Sequence, residues 1–552
     1  MRQQERPARR FPSGEMVDFV IVGSGAAGGI MAKELAVAGH TVLVLEQGPR
    51  LTVPEYDHDE MALFILGSRT NAASGQPQMF RPTPSDAWQQ ATPLLYGRTV
   101  GGSNAHFTAN MWRMRPSDFN EVSVHGSVSG TGLVDWPLTY DDLEPYYTKA
   151  DWELGISGAP GPFDPPRSRP YPMPPLPVKS SGVLFERGAR SLGLHPEPTP
   201  MAINSQPYNG RAPCQHCGWC LGFFCEFGAK STSMVAMLPV AEATGNCEIR
   251  PDSYVAKVET NEAGRATGVT YFDGDRNEHF QPARAVVLCA NGAETPRLLL
   301  NSSTTRFPDG LANSSGVVGK YLMFNGNWGV SGLFEHPLNE YKSVQTTRMV
   351  LDYYETDPAR GFYGGGGIDA RFQQYPIIWA LAGLPPETPT WGAEFKRTLA
   401  DYYNRTMFLA VHTTSLPVES NSIELDPQLK DAWGLPCMRV TYRDHDDDMK
   451  MGQFLVDRAS EILDAAGAQR RWAIPVGPQT LSVHLLGTCR MGRDAATSVI
   501  DTNHRTHDVP NLFICDGSSL VTSTRGQPTM TISALAFRAG ERIADLARRG
   551  EI

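Results

Sequence analysis

The chain has 552 residues, of which 41% are hydrophobic and 20% charged, and its formal net charge is −10. This is the balance of a globular protein with a large core and room for two domains, and without a basic patch or stripe it excludes a nucleic-acid-binding role. No apolar run approaches the roughly 18 residues that cross a bilayer. No apolar segment follows Arg9-Arg10, so residues 1–16 are expected to be a disordered leader without an export signal.

The first organised stretch is 17–48. Phe19-Val20-Ile21-Val22 has the length and β-branched content of a buried parallel strand. It runs into Gly23-x-Gly25-x-x-Gly28, then a helical segment stopped by Gly39, then a second apolar strand over 41–45 that ends at Glu46. Strand, glycines, helix, strand and acid together form a βαβ dinucleotide fingerprint. Gly23 permits the tight turn, Gly25 admits a pyrophosphate to the backbone, and Gly28 lets helix and strand approach. The helix N-terminus then holds the anion. Glu46 is placed to accept hydrogen bonds from ribose hydroxyls. NAD and FAD both satisfy this motif.

Residues 49–94 read as loops and short helices, and 96–107 as a tight turn, Gly101-Gly102, before a helix. Thr139 caps a helix with Asp141 and Asp142 in its first turn. The Pro/Gly-rich stretch 155–178 forms no regular structure and reads as a surface excursion or lid. Strand-like runs follow at 247–250, 254–259, 266–272 and 285–290, and 325–480 alternates as an antiparallel sheet does. A buried strand precedes Asp516-Gly517, and the last helix covers 529–548. No internal repeat is visible.

Four of the nine cysteines fall in Cys214-x-x-Cys217-x-x-Cys220-x4-Cys225. Thiolates this close in sequence can converge on one small centre, and the run is similar to the C-x2-C-x2-C run of bacterial ferredoxins. Zinc, which usually draws on two CxxC pairs across a longer loop, and disulfides, which need an oxidising compartment, are the alternatives. Cys247, Cys289, Cys437, Cys489 and Cys515 are scattered and read as small buried hydrophobes.

Taken in order, these landmarks resemble the glucose–methanol–choline (GMC) family of FAD-dependent oxidoreductases over nearly the whole chain. The resemblance rests on the dinucleotide motif, Gly97-Arg98-x-x-Gly101-Gly102-Ser103, the 291–299 stretch beginning Asn291-Gly292-Ala293-Glu294, and His484 in SVHLLGTCRMG. Asp516-Gly517 and Pro528-Thr529 complete it. It implies an α/β fold with a Rossmann-like FAD domain of discontinuous segments and a substrate domain on an antiparallel sheet. In that division 17–320 is mainly the FAD domain, carrying the 155–178 excursion and a cysteine-bearing insertion at 205–232. Residues 321–480 are mainly the substrate domain, and 481–552 return to the first domain with the catalytic residues.

The resemblance makes His484 the base that takes the alcohol proton as hydride leaves, with a pKa expected near the working pH. The second catalytic position, usually Asn or His, is Gln527, which keeps amide donor and acceptor but cannot act as a base. Cofactor contacts are expected from Gly23, Gly25, Gly28, Glu46, Arg98, Gly101, Gly102, Ser103, Asn104, His106, Val255, Ala290, Asp516, Gly517, Pro528 and Thr529. His106 stands at the spacing where some members attach FAD covalently. The cysteine insertion resembles the iron–sulfur-bearing subunits of sugar and gluconate dehydrogenases, with Cys214, Cys217, Cys220 and Cys225 holding a three-iron or four-iron centre. That implies oxidation of a sugar or glycoside hydroxyl, with electrons relayed to a small subunit and a cytochrome. The location would be cytoplasmic, or periplasmic by co-export with a signal-bearing partner. An oxygen-using oxidase with a structural cysteine site, and a lyase with flavin as scaffold, are the other readings. Trp112, Arg113, Trp328, Trp379 and Trp391 are candidate platforms for a sugar face.

Overall fold

The computed structural model describes residues 11–371 and 375–552. The first sheet starts with β1 (Val17–Val22), which leads through α1 (Ala26–Val37) to β2 (Val42–Leu45). It adds β3 (Cys247–Arg250), β4 (Tyr254–Thr260), β5 (Ala266–Phe272) and β6 (Glu278–Leu288) in the order β3-β2-β1-β6-β5-β4. The strand Leu512–Ile514 closes it by pairing in parallel with β6. β1 is parallel to both β2 and β6, so Phe19 to Val22 are covered on both faces, as a continuous apolar run requires. α2 (Asn291–Asn301) follows β6 directly.

The second sheet is antiparallel. Its centre is β7 (Gly326–Leu333), β8 (Gly366–Arg371) and β9 (Thr406–Thr413), with β9 between the other two. The long helix α3 (Asp446–Ala466) lies against it, burying Met451, Leu455, Ala459, Ile462 and Leu463 at helical spacing. This helix stands inside a stretch whose pattern predicted strands and loops. A third sheet of four strands joins Gln78–Arg81 and Gln89–Ala91 to Ser422–Lys430 and Pro436–Thr441. The expected loops of 49–94 therefore contain two strands.

The C-terminal helix α4 (Thr529–Arg548) returns to the first sheet and packs on α1 so closely that a Cβ on Gly540 would stand 2.7 Å from Glu34 Cβ. Thr139 caps the helix Tyr140–Leu154 as expected, accepting from Asp142 N. The leader expectation lies partly outside the described residues, which begin at 11. Within them, 11–16 are tied down. Phe11 is buried, its carbonyl accepts from Arg250 Nη2 at 2.7 Å, and Glu15 O accepts from Gln281 Nε2 at 2.6 Å. One aromatic ring and two carbonyls order a segment whose polar sequence suggested none. Among the described residues no helix is long and apolar enough to cross a membrane.

Candidate active site

The turn after β1 is built by glycine. Gly23 has φ of +95°, and a Cβ on Gly28 would stand 2.0 Å from Gly23 O. Gly28→Ala is expected to push α1 off β1 and yield protein without bound flavin, read from its visible spectrum. At the end of β2, Glu46 is buried and its carboxylate accepts from Ser24 N at 3.1 Å, Ser24 Oγ at 2.7 Å and Gly48 N at 3.1 Å. Burial raises its pKa against these bonds.

These elements open onto a cavity of about 570 Å3, within the range that takes a bound cofactor or drug-sized ligand. Gly23, Gly25, Glu46, Gly102, Ser103, Asn104, His106, Val255 and Ala290 line it, as do His484, Asp516, Gly517, Gln527, Pro528 and Thr529. Three expected contacts fall elsewhere. Gly28 is spent on helix–strand packing, and Gly101, at φ of +96°, makes the turn that presents Gly102. Arg98 points away into an adjoining polar cavity of about 230 Å3, its guanidinium 5.4 Å from the Trp433 ring. Asp516 is saturated by the protein. It accepts from Asn291 N at 3.0 Å, Thr295 Oγ1 at 2.6 Å, Ser518 N at 2.8 Å and Ser518 Oγ at 2.6 Å. A carboxylate has about four acceptor sites, so Asp516 orders the cavity wall rather than offering a free oxygen.

His484 is oriented by a residue that sequence reasoning missed. Asn325 Nδ2 donates to the carbonyls of Thr413, at 3.2 Å, and Thr524. Its Oδ1 therefore faces His484 Nδ1, 3.2 Å away, and accepts the proton there. That tautomer leaves Nε2 with the free lone pair. Asn325 sits at φ of +55°, a left-handed position that asparagine tolerates, and Asn325-Gly326 was the signal available in sequence. Burial, followed by the charges of His412 and Arg371, lowers the His484 pKa to about 3, not near the working pH as expected. The ring is therefore in its base form throughout the physiological range. A base is lost only below its pKa, so the rate of anaerobic flavin reduction should stay flat from pH 8 to pH 5 as far as His484 is concerned. A histidine of ordinary pKa would cost about thirtyfold by pH 5. Stopped-flow reduction across that range separates the two.

Behind the cavity a second constellation was also invisible in sequence. Arg371 Nη2 donates to Asp369 Oδ2 at 2.6 Å, and His412 Nε2 lies 3.1 Å from the same oxygen. Asn110 Nδ2 donates to that oxygen at 3.4 Å. This fixes the Asn110 amide, leaving its buried Oδ1 without a partner in the cavity lining. None of the five candidate platforms lines the cavity. Trp112 and Trp379 are core residues, Trp391 is 82% exposed, and Arg113 is bound to Asp151.

His106 carries its Nδ1 proton toward Gly222 O, 2.8 Å away, while Gly222 N donates to His106 O at 2.9 Å. Its Nε2 is buried without a partner, and burial lowers its pKa to about 4. Gly222 belongs to the cysteine stretch, and with Leu221 it lines the large cavity. Cys214, Cys217, Cys220 and Cys225 line a separate small cavity directly behind. Among the described residues no three His, Cys, Asp or Glu side chains converge tightly enough to hold a metal ion. The cavity that the four thiols border is about 20 Å3, little more than the room one water takes. All nine cysteines are free. Burial raises the Cys214 thiol to about 11 and Cys220 to about 12, which keeps both protonated at neutral pH without a bound cation.

Comparison with known proteins matches two family models, each described as GMC oxidoreductase, over residues 17–323 and 417–536. The chain belongs to the GMC oxidoreductase family. It is 35% identical to 2-methyl-1,2-propanediol dehydrogenase of Mycolicibacterium austroafricanum, with 96% of each chain covered. It is 29% identical to the gluconate 2-dehydrogenase flavoprotein of Pantoea cypripedii, covering 96% of this chain and 94% of that one. Pyridoxine 4-oxidase from Mesorbium loti, at 20% identity, shares the fold with a TM-score of 0.65 over 95% of this chain and 98% of that one. This GMC protein is an FAD-dependent alcohol or sugar oxidoreductase. Its cavity fits the flavin on its own features, namely the glycine turn under α1, the buried Glu46 and the unpartnered His106 Nε2.

Proposed function

We propose that the protein is a dehydrogenase that oxidises one hydroxyl of a sugar, glycoside or vicinal diol to the carbonyl and delivers the electrons to a protein acceptor. The observation that carries this reading is the pinned tautomer of His484, whose Nε2 lone pair is free on a ring that lines the cavity. Nε2 takes the hydroxyl proton while the carbon's hydrogen departs as hydride, so the C–O bond becomes C=O. Gln527 orients the hydroxyl through its amide. Asn110 Oδ1 accepts a hydrogen bond from a neighbouring hydroxyl, which favours substrates bearing two adjacent ones. The names of the two relatives, a diol dehydrogenase and a gluconate dehydrogenase flavoprotein, support the same substrate class.

Bound FAD supplies the two-electron hydride acceptor. Gly23, Gly25 and the α1 N-terminus hold its pyrophosphate, and Glu46 its ribose. His106, Val255, Ala290 and Pro528-Thr529 surround the remainder. His106 Nε2 is the atom through which a covalent link would form. Cys214, Cys217, Cys220 and Cys225 hold an iron–sulfur centre, which supplies one-electron storage. Support for that centre comes from the C-x2-C-x2-C-x4-C spacing, and from the 220–225 loop walling both cavities at once. A small accessory subunit and a cytochrome-type acceptor complete the route, in the cytoplasm or, by co-export, in the periplasm.

Anaerobic visible and EPR spectra, taken before and after adding 1,2-propanediol, glucose or gluconate, test the reading together with iron and acid-labile sulfide analysis. Substrate-dependent bleaching of the flavin and a new EPR signal are expected. Peroxide released in air as fast as a dye is reduced would point to an oxidase instead. Protein that purifies without flavin would sink the reading altogether.

A further inference from the structure

The lining of the large cavity is sorted by polarity. Beside the base His484 stand the amides of Gln527 and Asn110. Toward solvent the same cavity is lined by Ile65, Leu481 and Val483, which are 47%, 53% and 57% exposed. Aliphatic residues scattered singly over a surface need no explanation, but three on the wall of one functional cavity do. Backbone pairing holds this rim to the catalytic end. Leu95 N donates to Ser482 O at 3.0 Å, and Ser482 N to Pro93 O at 2.8 Å. Ser482, between the two rim residues, accepts from His484 N through its Oγ at 3.0 Å. The same segment continues to Arg98, whose N donates to Arg69 O at 2.9 Å, close after Ile65 in the chain.

Charge narrows the occupant further. Among the described residues no lysine or arginine lines this cavity, so a carboxylate or phosphate on the substrate would enter without a counter-ion. A free sugar carries a hydroxyl on nearly every carbon, and the rim has only hydrocarbon to set against them. Unmatched polar groups are what a binding site rejects most strongly. We propose that Ile65, Leu481 and Val483 are specificity-determining residues that hold an apolar arm of the substrate. The substrate is then an uncharged vicinal diol, with its two hydroxyls at His484 and Asn110 and its hydrocarbon substituent along the rim. Because the rim is continuous with the catalytic cavity, the substrate itself is what covers it. The proposal rests on the hydroxyl-oxidation reading above and narrows its substrate class.

The test measures kcat/KM of the flavin-loaded enzyme with a dye acceptor, for 1,2-propanediol, 1,2-butanediol, 1,2-pentanediol and 1,2-hexanediol, and for glucose and gluconate. A methylene fully removed from water is worth about fourfold, and one against a half-open rim about twofold. The wild type should therefore prefer hexanediol to propanediol by about 8- to 60-fold, and should use glucose and gluconate at least about tenfold less well than hexanediol. In Leu481→Ser/Val483→Ser the hexanediol-to-propanediol ratio should fall to about twofold or less, whereas Leu481→Met, which keeps the hydrocarbon, should retain it. The ratio is internal to each protein, so a general loss of activity does not move it. A flat series in the wild type would overturn the proposal, as would gluconate used as well as hexanediol or a ratio unchanged in the double variant. A flat series together with a dimer in sedimentation that Val483→Asp dissociates would overturn it in favour of a second copy of this chain. Flavin reduced by none of these compounds would sink the hydroxyl-oxidation reading and the proposal with it, a result distinct from reduction by all of them alike.

Discussion

His484→Asn is expected to leave flavin bound at the wild-type ratio and to slow its anaerobic reduction by substrate about 10²- to 10⁴-fold, the range that removal of a general base costs. The asparagine fills a similar space at the ring's root, and the cavity glycines that hold the cofactor are untouched. What disappears is the Nε2 lone pair. The same logic reaches Asn325, which touches no substrate but decides which nitrogen carries the proton. With Asn325→Leu the ring loses its acceptor and both tautomers become available. The reduction rate should then fall by less than in His484→Asn, at unchanged flavin content. Stopped-flow traces at saturating substrate read both variants. Reduction of His484→Asn within a few fold of wild type would remove the histidine from the chemistry and leave the cavity without an assigned base.

Arg525→Met should give the largest loss of stability. Arg525 is buried two residues before Gln527. Its Nε donates to Asp118 at 2.7 Å, and its other nitrogens donate to Glu121, to Thr356 Oγ1 at 3.1 Å and to the Tyr354 carbonyl. These acids hold the guanidinium pKa above its usual value despite burial. Truncating it strands two buried carboxylates, a loss of about 3–5 kcal/mol when a buried pair is broken from one side. Chemical denaturation checks this, and Arg525→Met stable to wild-type denaturant concentrations would refute it. Adding Asp118→Asn and Glu121→Gln should restore much of the loss, because the orphaned charges are then gone. Turnover should not recover in step, since the segment 524–528 that presents Gln527 would still lack its anchor.

What was legible in the sequence is what short-range patterns encode. Residues 17–46 announce their strand, turn and helix because each depends on neighbours within a few positions, and Thr139 announces its helix for the same reason. The helix Asp446–Ala466 was also readable, with apolar residues at Met451, Leu455, Ile462 and Leu463. The strand-rich pattern around it hid that period. The pairing of Asn325 with His484, and that of Asp369 with His412, were not readable. Asn325, Asp369 and His412 are ordinary polar residues until pairing of distant segments gives them partners. Arg98 shows a subtler limit. Its motif gives its place on the backbone, but its side chain lies toward Trp433. Phe11 is the converse case, a lone aromatic in a polar stretch that found a hydrophobic socket.

The large cavity has one wall from residues 22–27 and another from 516–532, so the turn that greets the pyrophosphate emerges from the ribosome some five hundred residues ahead of Gln527. Long-range pairings of this kind form slowly and late. Flavin capture therefore waits until the 516–532 wall has been made. Until the strand Leu512–Ile514 docks on β6 and α4 lies down on α1, the nascent protein has half a cradle. A quality-control system that senses bound flavin would be sensing, in effect, that residues 512–548 have folded back onto residues 17–37.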